Sequence, residues 1–192
     1  MEISLIRHGR SLCTDRGRVT CREFHNWVKR YDDSGVFPEE VYPASARHAL
    51  RLANVVLTSD YSRAIESAAL LGDHDRVIPD PIFREAELPS PMLHLLQLKL
   101  RPNTWAVILR CLWLSGYSKG CESLKKARQR AETAAHLLAG YAEEYQSVTL
   151  VGHGFFNRLV AEELMKTGWK GRKSVGKHWN CTTLRYEDFS RG

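Results

Sequence analysis

Hydrophobic and polar positions along the chain fall into two alternating rhythms. The apolar run EISLI (2–6), rich in β-formers, alternates weakly and predicts a strand. In TCREFHNWVKRYDD (20–33), Phe24, Trp27, Val28 and Tyr31 share one helical face. GVFPEEVYP is a loop by its glycine and two prolines, and Pro43 then opens the helix PASARHALRLA. NVVLTSD (54–60) predicts a short buried strand, YSRAIESAALLG a helix stopped at Gly72, and RVIPD (76–80) another strand. Residues 91–118 are rich in Leu and Trp and predict helix. A long amphipathic helix over 122–145 repeats Leu124, Ala127, Ala131, Ala134, Ala135 and Leu138 at helical spacing. SVTLVGHG (147–154) predicts a strand that ends in a glycine-flanked histidine. FFNRLVAEELMKTG (155–168) follows as a helix, and TTLRYED (182–188) as a closing strand.

Strands that alternate with helices predict an α/β fold on a mainly parallel sheet, whose ligands bind beyond the carboxyl ends of the strands. Three polar clusters follow predicted strands and are therefore expected on one rim: Arg7-His8-Gly9, Ser59 to Arg63, and Gly152-His153-Gly154. The 192 residues fit one domain with an elaborated lid. A net charge of +6 favours acidic partners, whether phosphorylated small molecules, nucleic acid or anionic membrane. The longest greasy stretch, WAVILRCLWL (105–114), contains Arg110 and falls short of the roughly 18 apolar residues of a membrane span. The N-terminal apolar stretch is brief and carries Glu2 and Arg7, so no secretory signal is read. Five cysteines, without a CxxC pair, suit a reduced cytoplasmic chain. Cys21 and His25 lie four apart on a helix, but no second pair completes a zinc site.

Chemistry sharpens the picture at the rim. Glycine beside each histidine lets the backbone turn or approach a ligand closely. Arg7 and Arg63 present planar forks that match phosphate oxygens. Arg63 falls in the first turn of a helix, where the dipole disfavours a cation unless an anion is bound. The sum is a phosphate-sized pocket with a nucleophile in it.

RHGRS, TSDYSRAIESA, FREAELP and LVGHG, in this order and each in its strand or helix context, resemble the histidine phosphatase superfamily. The likeness runs from about residue 3 to residue 187. It implies the phosphoglycerate-mutase-like fold: a three-layer sandwich with a mainly parallel central sheet flanked by helices. The whole chain, 1–192, would form a single domain, with helical lid insertions near 15–45 and 88–120. By this resemblance His8 accepts the phosphoryl group, while Arg7, Arg63 and His153 hold its oxygens. Glu85 donates a proton to the leaving group and later activates water. Glu87 is the alternative, since residues 85 and 87 face one side of an extended segment. Thr14 occupies a position where many members carry an asparagine, and would donate to phosphate. Cys121-Glu122-Ser123 replaces a common Gly-Glu-Ser, and LPSP replaces a glycine-rich stretch, so a different lid is expected.

The expected activity is hydrolysis of a small-molecule phosphomonoester, releasing inorganic phosphate, with no metal and no cofactor. A chain shorter than typical mutases, and an FREAELPSP segment unlike theirs, favour hydrolysis over mutase transfer. A silent phosphate-binding scaffold is the rival from another class. For Arg10, Thr14 and Arg16, a solvated loop and a substrate contact stand as equal readings. Asn157 and Arg158 read as structural pairs. The apolar 92–114 segment reads as core or lid packing, or else as a substrate wall, a homodimer face or a membrane-surface contact. KTGWKGRKSVGKHW (166–179) interleaves basic residues with tryptophans. It reads as a solvated loop that steers anionic substrate rather than as a nucleic-acid surface.

Overall fold

A computed structural model of the chain describes residues 1–90, 97–172 and 176–187. Among these, β1 (Glu2–Arg7), β2 (Val55–Thr58), β3 (Val77–Pro79), β4 (Ser147–Gly152), β5 (Lys170–Gly171) and β6 (Cys181–Arg185) form one sheet. Its order is β3-β2-β4-β1-β6-β5. The pairs β2–β3, β2–β4 and β1–β4 are parallel, and β6 runs antiparallel to both β1 and β5. The sheet is thus parallel where the predicted rim residues lie, with antiparallel strands at one side.

The helices are α1 (Cys21–Asp33), α2 (Ala44–Leu52), α3 (Ser62–Leu71), α4 (Pro102–Leu114), α5 (Leu124–Tyr145) and α6 (Gly154–Lys166). Local sequence accounts for several of their ends. Thr20 and Glu23 form a reciprocal capping box at the start of α1. Ser123 caps α5, accepting from the Lys126 amide at 3.3 Å. Pro102 occupies the first turn of α4, where its missing N–H costs nothing. A 3-10 turn, Pro81–Phe83, was not foreseen; Asp80 starts it by accepting from the Ile82 amide.

Strand alternation divides the core between two faces of the sheet. Ile3, Leu5, Val55, Leu57, Val148 and Leu150 pack with the alanine stripe of α5 and with Phe156, Leu159 and Val160 of α6. Ile6, Val56 and Val151 face the other way, against Ala46, Ala49 and Leu50 of α2 and Ala68 and Leu71 of α3. This is the α/β fold that the alternation predicted, in the three-layer sandwich that the resemblance implied. A third cluster lies off the sheet. Cys21, Phe24 and Trp27 of α1 meet Trp105 and Leu109 of α4, and the Trp105 indole donates to the Val19 carbonyl at 2.8 Å. Much of 97–114 is therefore packing, although Leu98, Val107 and Leu114 remain exposed. Residues 92–96 of that apolar stretch lie outside the described residues. Among the described residues no helix is long and apolar enough to cross a membrane.

Candidate active site

The site begins where β1 and β4 end side by side. Their register pairs Arg7 with Gly152, so His8 and His153 leave the sheet as neighbours. Their ring centroids are 5.1 Å apart. Both are almost closed to solvent, at 3% and 1% exposure. Gly9 is required because Trp179 packs directly against it; a Cβ there would overlap the indole. Gly152 is required because a Cβ would lie 2.6 Å from the Asn157 side-chain oxygen. Asn157 in turn donates to the Ile6 carbonyl at 3.0 Å, which is the structural pairing expected of it. Arg158 pairs with Glu162, also as expected.

Hydrogen bonding sets the state of His8. Its Nδ1 lies 2.7 Å from the Gly9 carbonyl. A carbonyl only accepts, so Nδ1 carries the hydrogen and Nε2 keeps the lone pair. Burial first, and then the charges of Arg63 and Arg7, hold its pKa well below the ordinary imidazole range. The ring is neutral near pH 7, with a free nucleophilic nitrogen. His153 is lowered in the same direction by burial and by Arg63. Its Nε2 lies 2.7 Å from the Ser59 hydroxyl, and its Nδ1 has no partner among the described residues.

Arg63 enters from the first turn of α3 with only 2% exposure. The Tyr31 and Tyr61 rings flank its guanidinium at 4.8 and 4.6 Å. Its Nη1 meets the Asp32 carboxylate at 2.8 Å and the Tyr31 carbonyl at 3.3 Å. Burial pushes the Asp32 carboxyl up, and the Arg63 charge works against that rise. Burial also pushes the Tyr61 phenol up to about 12. Ser67 ties the helix to the first motif, accepting from the Gly9 amide at 2.8 Å and donating to the Arg63 carbonyl at 2.6 Å. Arg7 lies against Gly154 and donates through Nη1 to the Gly176 carbonyl. Among the described residues, the Nε atoms of both Arg7 and Arg63 are buried without partners.

Glu85 approaches the His153 turn from the segment after the 3-10 helix. Its carboxylate accepts from the Phe155 and Phe156 amides at 3.1 and 2.8 Å, in the first turn of α6. His153 is the N-cap of that helix and offers no side-chain cap, so Glu85 fills that part. Glu87 is exposed, and Arg110 donates to its carbonyl. The structure therefore brings His8, His153, Arg7, Arg63 and Glu85 together. Thr14 is not among them: it is exposed in the loop after β1, and among the described residues no hydrogen bond ties its hydroxyl to the cluster.

Three participants were not read from the sequence. Asp32 reaches Arg63 from the end of α1. Tyr31, foreseen as a helix-face residue, also flanks that arginine and lies 6.4 Å from the His8 ring. His178 lies 5.5 Å from the His8 ring, and its Nδ1 donates to the His8 carbonyl at 3.1 Å. The reading of 166–179 as a solvated loop needs correction. Trp169 and Trp179 are both 5% exposed and belong to the two sheet-face cores, so neither indole is free to stack on bases. Residues 173–175 of that run lie outside the described residues.

Among the described residues no group of three or more His, Cys, Asp or Glu side chains is arranged to hold a metal ion. The charge at this rim comes instead from two arginines, Arg7 and Arg63, gathered around the His8 and His153 imidazoles.

The model of the histidine phosphatase superfamily (branch 1) matches residues 43–189, more than half of the chain. That match leaves out the Arg7-His8-Gly9 strand end, which the sheet register nonetheless sets beside His153. No curated protein matches the chain. Among solved structures, the mycobacterial glucosyl-3-phosphoglycerate phosphatase complexed with VO3 superposes with a TM-score of 0.61 at 20% identity, covering 96% of this chain and 90% of that one. An open reading frame product of Mycobacterium tuberculosis gives 0.57 at 18% identity, covering 98% and 92%. A putative alpha-ribazole-5'-P phosphatase of Escherichia coli K-12 gives 0.52 at 19% identity, covering 84% and 78%. At such identities the likeness is one of fold.

Proposed function

Because the chain belongs to branch 1 of the histidine phosphatase superfamily, we propose that it hydrolyses a small-molecule phosphomonoester through a phosphohistidine on His8. One observation carries this reading. Among the described residues, the buried nitrogens left without partners include Arg7 Nε, Arg63 Nε and His153 Nδ1, all beside a neutral imidazole. The Ser59 hydroxyl can donate to His153 Nε2 at 2.7 Å, and in that tautomer Nδ1 carries the hydrogen and is a further donor open to an anion. Buried unmet donors are costly, and a phosphate group would satisfy them while setting its charge against Arg7, Arg63 being already paired with Asp32.

In the first step His8 Nε2 attacks phosphorus and the ester P–O bond breaks. Arg7 and Arg63 offset charge on the equatorial oxygens. Glu85, next to the His153 turn, supplies a proton to the leaving alkoxide. Water then attacks phosphorus and gives its proton to Glu85. The N–P bond breaks, and His8 is restored with inorganic phosphate as product. Each step uses only protons and electron pairs of the protein, ester and water. The likeness of the fold to a glucosyl-3-phosphoglycerate phosphatase favours hydrolysis over mutase transfer, and the proposed reaction uses no membrane or nucleic-acid partner.

The test is phosphate release from an aryl phosphate and a panel of phosphorylated metabolites, comparing wild type with His8→Ala. Release by the wild type that vanishes in the variant is expected. Release that survives in the variant would remove His8 as nucleophile. A labelled phosphoenzyme without phosphate release would point instead to mutase chemistry.

A further inference from the structure

His178 plays no part in the scheme above, yet the chain goes to some length to hold it there. The segment around it is stitched to the end of β1 at four points. The Arg7 amide donates to the Asn180 carbonyl at 3.0 Å, and the Trp179 amide to the Arg7 carbonyl at 3.0 Å. Arg7 Nη1 donates to the Gly176 carbonyl. His178 Nδ1 donates to the His8 carbonyl. Trp179, immediately after it, adopts φ of 60°, a conformation costly for a bulky side chain. That strain is over-determined by the indole's burial between Gly9 and the edge-on Tyr42 ring.

The consequence for the imidazole is specific. A carbonyl partner fixes the hydrogen on Nδ1, leaving Nε2 as the free atom. His8 and His153 are closed to solvent, whereas His178 is exposed, so it stands at the mouth of the site. The charged and titratable groups that face it are Arg7, Arg10, Glu39 and His8. Partial desolvation and then the Arg7 charge favour its neutral form. A dianion held by Arg7 reverses the sign of the local field.

We propose that His178 is a further substrate-binding residue, which takes up a proton through Nε2 as the phosphoryl dianion enters and then donates to it. The proposal rests on the phosphatase reading of the site. It makes binding proton-linked: one proton enters with each anion, and the affinity of a fixed dianion rises toward lower pH. The limit is about tenfold per pH unit for one linked proton.

Sulfate is a suitable probe, because it remains a dianion across the neutral and mildly acidic range. Its dissociation constant is to be measured by titration calorimetry in two buffers of different ionisation enthalpy, for the wild type and for His178→Gln. Glutamine keeps a donor for the His8 carbonyl but cannot titrate. The wild type should take up a proton on binding and bind more tightly as pH falls. The variant should lose that uptake attributable to His178 and flatten the pH slope. Equal uptake and equal slopes in both proteins would overturn the proposal. Should the variant not fold, ring-nitrogen NMR of the wild type decides the same question. His178 must pass from the Nδ1–H tautomer to imidazolium on sulfate addition, and an unchanged signal rejects the idea. A failed phosphatase assay with proton-linked sulfate binding intact would sink the hydrolase reading alone. Turnover with no change at His178 would sink this one alone.

Discussion

Glu85→Gln is the most informative single substitution, because the carboxylate that caps α6 is also the proposed proton donor. As a cap, Glu85 accepts from two amides of the first turn of α6 and from its own neighbour Ala86 at 3.0 Å. Hydrogen bonds to a charged group are worth about 1.5–3 kcal/mol against about 1 for a neutral one. A carboxylate near a helix N-terminus adds roughly 0.3–1 kcal/mol. Glutamine retains one acceptor oxygen but turns an NH2 toward a peptide N–H. The expected loss is about 2 kcal/mol, read as a lower urea midpoint at unchanged m-value. As an acid, Glu85 matters most when the leaving group is a poor one. In a series of phosphate esters, the variant should slow an alkyl ester by about 100-fold or more, and a nitrophenyl ester far less. A variant as stable as wild type would refute the capping energetics. A uniform slowing across the leaving-group series would refute the proton-donor role. If Glu87→Gln gave the leaving-group dependence instead, the acid would be the exposed carboxylate.

Three shorter predictions follow. The folded rings of His8 and His153 stay neutral well below the ordinary imidazole pKa of about 6.5, so the unfolded chain binds protons first as pH falls. Stability should therefore decline below that point by about 1.4 kcal/mol per ring per pH unit until the folded rings charge, and urea midpoints for His153→Gln should show a shallower decline than wild type; parallel declines would contradict the burial of neutral rings. Gly9→Ala must push the Trp179 indole out of its seat, costing about 1–3 kcal/mol and impairing turnover, and thermal unfolding identical to wild type would contradict the close approach. Arg63→Met removes the partner of the half-buried Asp32 and one phosphate donor, so vanadate inhibition should weaken by at least about tenfold, and an unchanged inhibition constant would dissociate Arg63 from anion binding.

The parts legible in the sequence were those whose information is local. Arg7-His8-Gly9 and Gly152-His153-Gly154 each follow an apolar run, and a parallel sheet sends all such ends to one rim. Arg63 could be placed because a cation in a first helical turn contradicts the dipole unless something offsets it. What escaped depends on contacts between distant residues. Asp32 looks like one more acidic residue at a helix end, and only the packing of α1 brings it to Arg63, 31 positions later in the chain. His178 lies in a basic stretch whose composition resembles solvated loop, and nothing local shows that Trp179 is anchored under Gly9. The two carboxylates at 85 and 87 share a strand face by spacing alone. The first turn of α6, some 70 residues away, is what distinguishes them.

The position of β1 in the sheet bears on how the protein is made. This strand is made before the other five of the sheet, yet it lies between β4 and β6, which follow it by some 140 residues or more. At about 5–20 residues per second, β1 waits roughly 7–28 seconds before residues 147–152 exist to pair with it. Throughout synthesis it presents two unpaired edges, Ile-rich and without proline, of the kind that invites association between nascent chains. The His8 imidazole at its tip thus acquires its neighbour His153 only when β4 has been made. A ribosome-bound fragment ending before β4 holds Arg7 and His8 but lacks His153, so the histidine pair of the rim does not yet exist in it.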